Sequence, residues 1–359
     1  MKALQLLTSV GLGLLSCAGL ASASDETPSL ASTPTPAPSV EHARKAPIFT
    51  FYFENDFFGG TDRHYTNGFK FSWLSRDLVS WAQDGWRKTL VDALPFVNRT
   101  GAQKDLGFAF GQNMYTPQDR DRFVPDPNDR PYAGWSYAEL SFLSKTESIL
   151  DTLTFQAGIV GPHSYAGDLQ RAVHRWTGNA RPNGWEYQLK DEAGVNIVYE
   201  RKWRLYARSL TDFAGIDLVP HLGASLGNVQ TYANTGATLR AGINLPSDFG
   251  VQLIRPGGAG STPIDDLDPR VSPFKSWSLF VFAAADGRAV ARDIFLDGNT
   301  WRDSPSVDKE PFVADLSYGV GFIAGRWQLT FTQVERTKEF RTQAENCNKF
   351  GSVALNCAF

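Results

Sequence analysis

The chain has 359 residues and a formal charge of −3, with 20% charged and 42% hydrophobic residues. That balance excludes a basic nucleic-acid-binding stripe, a disordered chain and a helical membrane protein. Phe, Trp and Tyr number 25, 10 and 11 against 2 Met, and with 32 Gly this suits an all-β chain carrying exposed aromatic girdles.

Residues 1–23 read as a secretory signal peptide: Lys2 supplies the positive start, Leu6 to Leu20 the apolar stretch, and Ala21-Ser22-Ala23 the cleavage site. Residues 24–46 hold Pro28, Pro34, Pro36 and Pro38 among Ser, Thr and Ala, the composition of an extended linker. No apolar run of 18 or more residues follows, so no transmembrane helix is expected. A closed barrel is still open to such a chain, because its signal is alternation rather than continuous hydrophobicity.

Alternation begins at once. Phe49, Phe51 and Phe53 share one face of a first strand, opposite Thr50, Tyr52, Glu54 and Asp56. Phe69, Phe71 and Trp73 repeat the pattern against Lys70 and Ser72, and Val353, Leu355, Cys357 and Phe359 close the chain in the same way. The strands expected are 48–57, 65–76, 104–115, 133–144, 150–161, 194–207, 217–228, 231–244, 276–286, 312–324, 326–340 and 350–359. Twelve antiparallel strands over residues 47–359 make a transmembrane β-barrel with both termini in the periplasm. The link 77–103 is then periplasmic, and Trp81, Trp86, Leu90, Val91 and Leu94 predict a short amphipathic helix packed on the barrel or membrane surface.

Three polar links fall together on the outer rim. The first runs from Glu54-Asn55-Asp56 to Tyr65-Thr66-Asn67-Gly68, and the second spans Gln112 to Gly134 with Arg120, Arg122 and Asp129-Arg130. The third, 162–192, predicts a helix over 168–177 that ends at Gly178, carries Leu169, Val173 and Trp176 as an apolar stripe, and sets Gln170 and His174 four apart on one face. Strict alternation places Asn55 and Asp56 on opposite faces, so both reach one site only through a twist or bulge, or if the site straddles the wall.

These motifs, in this order, resemble the lipid A 3′-O-deacylases of Gram-negative outer membranes, as does Thr337-Lys338-Glu339-Phe340-Arg341-Thr342 near the end. The resemblance covers roughly residues 48–359. It implies a twelve-stranded barrel with its site near the outer rim, between the wall and a loop helix, and Ca²⁺-dependent removal of 3′-linked acyl groups from lipid A or lipopolysaccharide. Carried over, the site residues are Asn55, Asp56, Thr66, Gln170 and His174, with Asp56 and Asn55 as metal ligands. A lysine of the family's 3–4 loop has no Lys counterpart here; Arg122 or Arg120 falls closest, and a planar fork replaces a point charge.

Ester hydrolysis needs an activated water and a stabilised oxyanion. A neutral imidazole, with an ordinary pKa of ~6.5, can take the proton, which makes His174 the candidate base. A hard cation held by oxygen ligands can polarise the carbonyl. The one G-x-S-x-G match, Gly223-Ala224-Ser225-Leu226-Gly227, falls inside the expected strand 217–228 and not at a strand-to-helix elbow, which favours water over a serine nucleophile. Arg120, Arg122, Arg130 and Arg175 are candidates for the substrate phosphates. The plainer readings are a solvated loop histidine for His174, a turn-forming Asx pair for Asn55-Asp56, and a structural loop base for Asp129-Arg130-Pro131. His64 and His163 are rival rim histidines, while His221 and His42 read as incidental. Two other functions fit the same barrel: hydrolysis of another lipid, as by a phospholipase, or a non-catalytic pore. Cys347 and Cys357 are not expected to pair, since ten extended residues span up to ~33 Å and bridged Cα atoms lie within ~7 Å.

Overall fold

The computed structural model describes residues 46–359 except 60–63, 79, 82–84, 179–181, 212, 259 and 273–274, so the expected signal peptide and linker lie outside the described residues. Its strands are β1 (Ile48–Asn55), β2 (His64–Leu74), β3 (Gln103–Thr116), β4 (Ala133–Lys145), β5 (Ile149–Val160), β6 (Glu192–Trp203), β7 (Tyr206–Ser209), β8 (Ala214–Gly227), β9 (Gln230–Ile243), β10 (Trp277–Asp293), β11 (Phe312–Ala324), β12 (Trp327–Thr337) and β13 (Cys347–Ala358). All thirteen belong to one antiparallel sheet; β1 pairs with β13, and β6 pairs with both β5 and β8. The sheet therefore closes on itself and leaves no edge in lipid. The single strand expected over 194–207 is broken at Arg204 and Leu205, and its four-residue remainder, β7, pairs onward with β8. Counting β6 and β7 as one stave gives the twelve expected.

Side chains alternate as the composition requires. Thr50, Tyr52 and Glu54 are buried in the lumen, while Phe49, Phe71, Trp73, Phe108 and Phe110 are exposed on the outer wall. The first strand ends earlier than expected, because Asp56–Gly59 forms a 3-10 turn. The last begins earlier, at Cys347, so Cys347 and Cys357 occupy two ends of one extended strand and both are free.

Among the described residues three α-helices decorate the barrel: α1 (Gly85–Asp92), α2 (Ala166–Thr177) and α3 (Ile294–Asp297). The 77–103 link packs on the barrel rather than lying apart from it. Trp81, Val91, Leu94 and Val97 cluster with Leu106, Leu140, Phe142 and Leu153 of the outer wall, and Trp81 meets Phe142 edge-on at 5.6 Å. At the end opposite the chain termini, α3 buries Ile294, Phe295 and Leu296, with Phe295 stacked on Tyr115 at 4.1 Å.

The lumen is occupied, which the alternation pattern does not announce. The link 244–276 between β9 and β10 folds inward from the end that carries the termini. Its Ile254 N–H donates to Glu54 Oε1 (2.8 Å), its Gly258 carbonyl accepts from Lys70 Nζ (2.6 Å), and its Arg255 pairs with Glu200 at 2.9 Å. Phe249 and Ile264 pack among Ile48, Leu74, Leu143 and Leu150. Asp248 accepts from both Arg240 and Arg270, and Arg270 also reaches Asp268 (2.7 Å) and Gln328 (2.8 Å). Burial pushes the Asp248 carboxyl up, yet the two guanidinium groups outweigh that and hold it well below the usual carboxylate range. A cavity of about 70 Å³ lies beside His221, Arg255 and Asp286 in this region of the lumen.

Lys70 illustrates how the lumen is kept neutral. It is fully buried, pairs with Glu139 at 2.5 Å, and Glu139 continues to Gln156 (2.8 Å) and on to Asn196 (2.7 Å). Removing one partner of a buried pair strands the other charge. Lys70→Met is expected to lower stability by about 3–5 kcal/mol, read as the denaturation midpoint in detergent; an unchanged midpoint would show that the pair does not bear on stability.

Candidate functional site

The polar residues of interest meet on the outer wall, under α2. This helix is placed by its base. Ser164, in the turn before it, offers its carbonyl to Gln112 Nε2 (2.6 Å) of β3 and Ser136 Oγ (2.8 Å) of β4. Gly134 permits the approach: a Cβ there would lie 2.2 Å from Ser164 Oγ and 2.4 Å from Ala166 Cβ. Trp185 lies across Gly167, stacks obliquely on Tyr132 at 5.1 Å, and donates its Nε1–H to Gln170 Oε1 at 2.6 Å. At the far end the Gly178 N–H donates to the His174 carbonyl.

So anchored, α2 turns Leu169, Gln170, Val173 and His174 toward the barrel. Between helix and wall is a cavity of about 670 Å³, floored by Phe51, Phe53, Phe69 and Phe71 and closed near the rim by Phe57, Phe58 and Met114. Its polar members are Asn55, Thr66, Asn67, Gln170 and His174. Gln170 and His174 are 4% and 7% exposed, and Gln170 Nε2 is buried with no hydrogen-bond partner, a donor available to a ligand.

A bulge brings Thr66 to this face. Tyr65 pairs with Tyr115 and Asn67 with Met114, so Thr66 is the extra residue of β2. Its hydroxyl shares a 2.6 Å hydrogen bond with Thr116 Oγ1. The face conflict at Asn55 and Asp56 is resolved by the position of the site itself. Asn55 stands on the same outer face as Phe51 and Phe53, and its Oδ1 also accepts from Phe57 N–H at 2.8 Å, so it is an Asx turn as well as a cavity residue. Asp56, first in the 3-10 turn, is 1% exposed and does not line the cavity. Among the described residues no group of three or more His, Cys, Asp or Glu is gathered as a metal cage.

The arginines are placed elsewhere. Arg130 is buried, paired with Glu339 at 3.2 Å and seated over the Tyr115 ring at 4.8 Å, which is the structural role its loop suggests. Arg122 is exposed and pairs with Asp126 at 2.9 Å; Arg120 is half-buried, its carbonyl accepting from Asn183 N–H at 2.8 Å; Arg175 is exposed on α2. None of the four lines the cavity. Of the rival histidines, His163 is exposed and 2.5 Å from Asp191; His221, read as incidental, lies in the lumen 2.6 Å from Asp286. His64 opens β2. Sequence reasoning did not single out Phe57, Phe58 or Trp185; the last orients Gln170 through its indole N–H, and its sequence signal is an aromatic after the helix.

A profile of the family described as "Outer membrane protein LpxR" matches residues 14–359. The chain belongs to this family. LpxR from Salmonella typhimurium has the same fold, with a TM-score of 0.66 at 19% identity over 87% of this chain and 100% of that one. The β domain of the Bordetella autotransporter Brka aligns over 88% of this chain and 100% of its own at 10% identity, with a TM-score of 0.36. No curated protein matches the chain in sequence. The protein is thus an outer-membrane barrel of the lipid A deacylase family that its rim motifs resemble.

The seat of α2 can be checked without any assay of activity. Overpacking at a close contact costs about 1–3 kcal/mol, roughly tenfold or more in local opening. Gly134→Val is therefore expected to speed tryptic cleavage at Arg171 and Arg175 by about that factor, while the barrel keeps its heat-modifiable gel migration. Unchanged cleavage would mean that α2 is not held through Gly134.

Proposed function

We propose that this protein hydrolyses the 3′-linked acyl ester of lipid A in the outer leaflet of the outer membrane, in a Ca²⁺-dependent reaction. The observation that carries this reading is an apolar cavity on the membrane-facing wall whose polar end joins His174, Gln170, Thr66 and Asn55. A substrate with its acyl chains already in the bilayer can present an ester there without leaving it. The Phe floor suits an acyl chain, and the polar cluster suits its carbonyl. The rim opposite the termini is read as the outer one.

His174 is the base that takes a proton from the attacking water, as an imidazole can near neutral pH. Gln170 has its Oε1 fixed by Trp185, so its unpartnered Nε2 is aimed and available to stabilise the oxyanion. Thr66 and Asn55 bracket the same end of the cavity and orient the ester. The donor types fit a hard cation: Asn55 and Thr66 bring neutral oxygens to the cavity, and Asp56, next in sequence to Asn55 but outside the cavity lining, brings a carboxylate. Those residues would hold Ca²⁺, which when bound supplies Lewis-acid polarisation of the carbonyl. The exposed Arg122 and Arg175 lie in links of the same rim and are the groups proposed to meet lipid A phosphates.

Mass spectrometry of lipid A incubated with the purified protein tests this. Wild type with Ca²⁺ is expected to release the 3′-linked acyl groups, chelation to stop the release, and His174→Ala to lower kcat by about 10²–10⁴-fold. Lipid A that keeps its 3′ chains with Ca²⁺ present would refute the reading; release from a phospholipid instead would favour another lipid ester.

A further inference from the structure

The two strand ends that carry the site are held from the other side of the wall. Glu54 directly precedes Asn55, and Tyr65 directly precedes Thr66. Where Asn55 and Thr66 line the outer cavity, Glu54 and Tyr65 are buried toward the lumen. Tyr65 Oη donates to Glu54 Oε2 at 2.9 Å, while Glu54 Oε1 accepts from the Ile254 N–H of the lumen segment at 2.8 Å. The Tyr65 ring is wedged against Tyr115 at 5.5 Å and edge-on to Phe350 at 5.0 Å.

We propose that Glu54 and Tyr65 form a positioning latch for the reaction, acting through the wall to keep Thr66 and Asn55 in the cavity. In regular alternation Tyr65 would share the outer face of Asn67 and Phe69, and Thr66 would turn into the lumen. The bulge between Tyr65 and Asn67 inverts this locally. A bulge is one of two phases available to the strand, and the latch selects it by giving Tyr65 a buried carboxylate to bind inside. Glu54 in turn is fixed by the lumen segment, so a periplasmic link that never reaches the outer wall helps to set the geometry there.

The latch also accounts for the spacing Tyr65-Thr66-Asn67-Gly68. Gly68 pairs with Glu54 across β1 and β2, and the Tyr65 hydroxyl passes over it on the way to the carboxylate. A Cβ on Gly68 would lie 2.2 Å from Tyr65 Oη and 3.1 Å from its Cζ. The motif therefore divides by face: Glu54, Tyr65 and Gly68 hold, while Asn55, Thr66 and Asn67 line the cavity.

Because the latch is read through catalysis, it rests on the proposed hydrolase activity, and the test separates the two. Tyr65→Phe, Gly68→Ala and the double variant are assayed on lipid A and on a p-nitrophenyl acyl ester in the same micelles with Ca²⁺. Misplacement of a site residue is expected to lower kcat about tenfold in Tyr65→Phe with KM within about twofold, and at least as much in Gly68→Ala. The double variant is expected to be no worse than Gly68→Ala alone, since the 2.2 Å clash with the hydroxyl is gone and only the tight contacts to the ring Cζ (3.1 Å) and Ile254 Cδ1 (3.3 Å) remain. Wild-type kcat for Tyr65→Phe on both esters, or losses that multiply in the double variant, would overturn the latch. Hydrolysis of the p-nitrophenyl ester without lipid A would count against the substrate reading, and the surrogate would still report on the latch. A wild type inert on both esters would overturn both.

Discussion

A strand that crosses lipid has to pair each backbone amide and carbonyl with its neighbours, because hydrocarbon offers no other partner. That pairing ties side chains to two faces in strict alternation, one in the membrane and one in the lumen. The rule holds along most of the wall and is broken by a bulge between Val290 and Arg292 in β10 and by another in β2, on which the cavity depends. Thr66 is the extra residue of a bulge, and the departure puts a hydroxyl beside Asn55 on a face otherwise given to Phe. A polar cluster on the membrane side is costly to build and useless unless covered; α2 covers it.

The lumen is a core of paired charges. Buried charges line it, and each is answered: Lys70 by Glu139, Arg240 by Asp217 and Asp248, Arg270 by Asp248 and Asp268. Ion pairs of this kind tie the staves together from inside. The link 244–276 completes it by supplying Asp248, Arg255 and Arg270 to the interior. The outer wall, backed by this filled core, is a firm platform on which one mobile-sized element, a twelve-residue helix, can be seated by a few contacts.

Much of the barrel was legible because alternation is a strong signal where one face meets lipid. Phe49, Phe51 and Phe53 announced β1, and the even count put the three polar links on one rim. Gln170 and His174 were legible as a pair because i and i+4 share a helix face. The lumen segment was not, since it has no periodicity and is held by single hydrogen bonds from many strands. Alternation in β1 does put Asn55 on the Phe51 and Phe53 face, whereas the face of Thr66 depends on a bulge in β2 that no periodicity announces. Of the two readings of Arg130, substrate cation or structural loop base, its burial against Glu339 and Tyr115 fits the second.

The central claim is that the reacting lipid lies on the membrane-facing wall between α2 and the β1–β2 edge. A structure of the His174→Ala variant with lipid A and Ca²⁺ tests it most directly. The account requires an acyl chain along Phe51, Phe53 and Phe69 with its ester beside Gln170 and Thr66. Lipid A bound in the lumen, or on the wall away from α2, would contradict it.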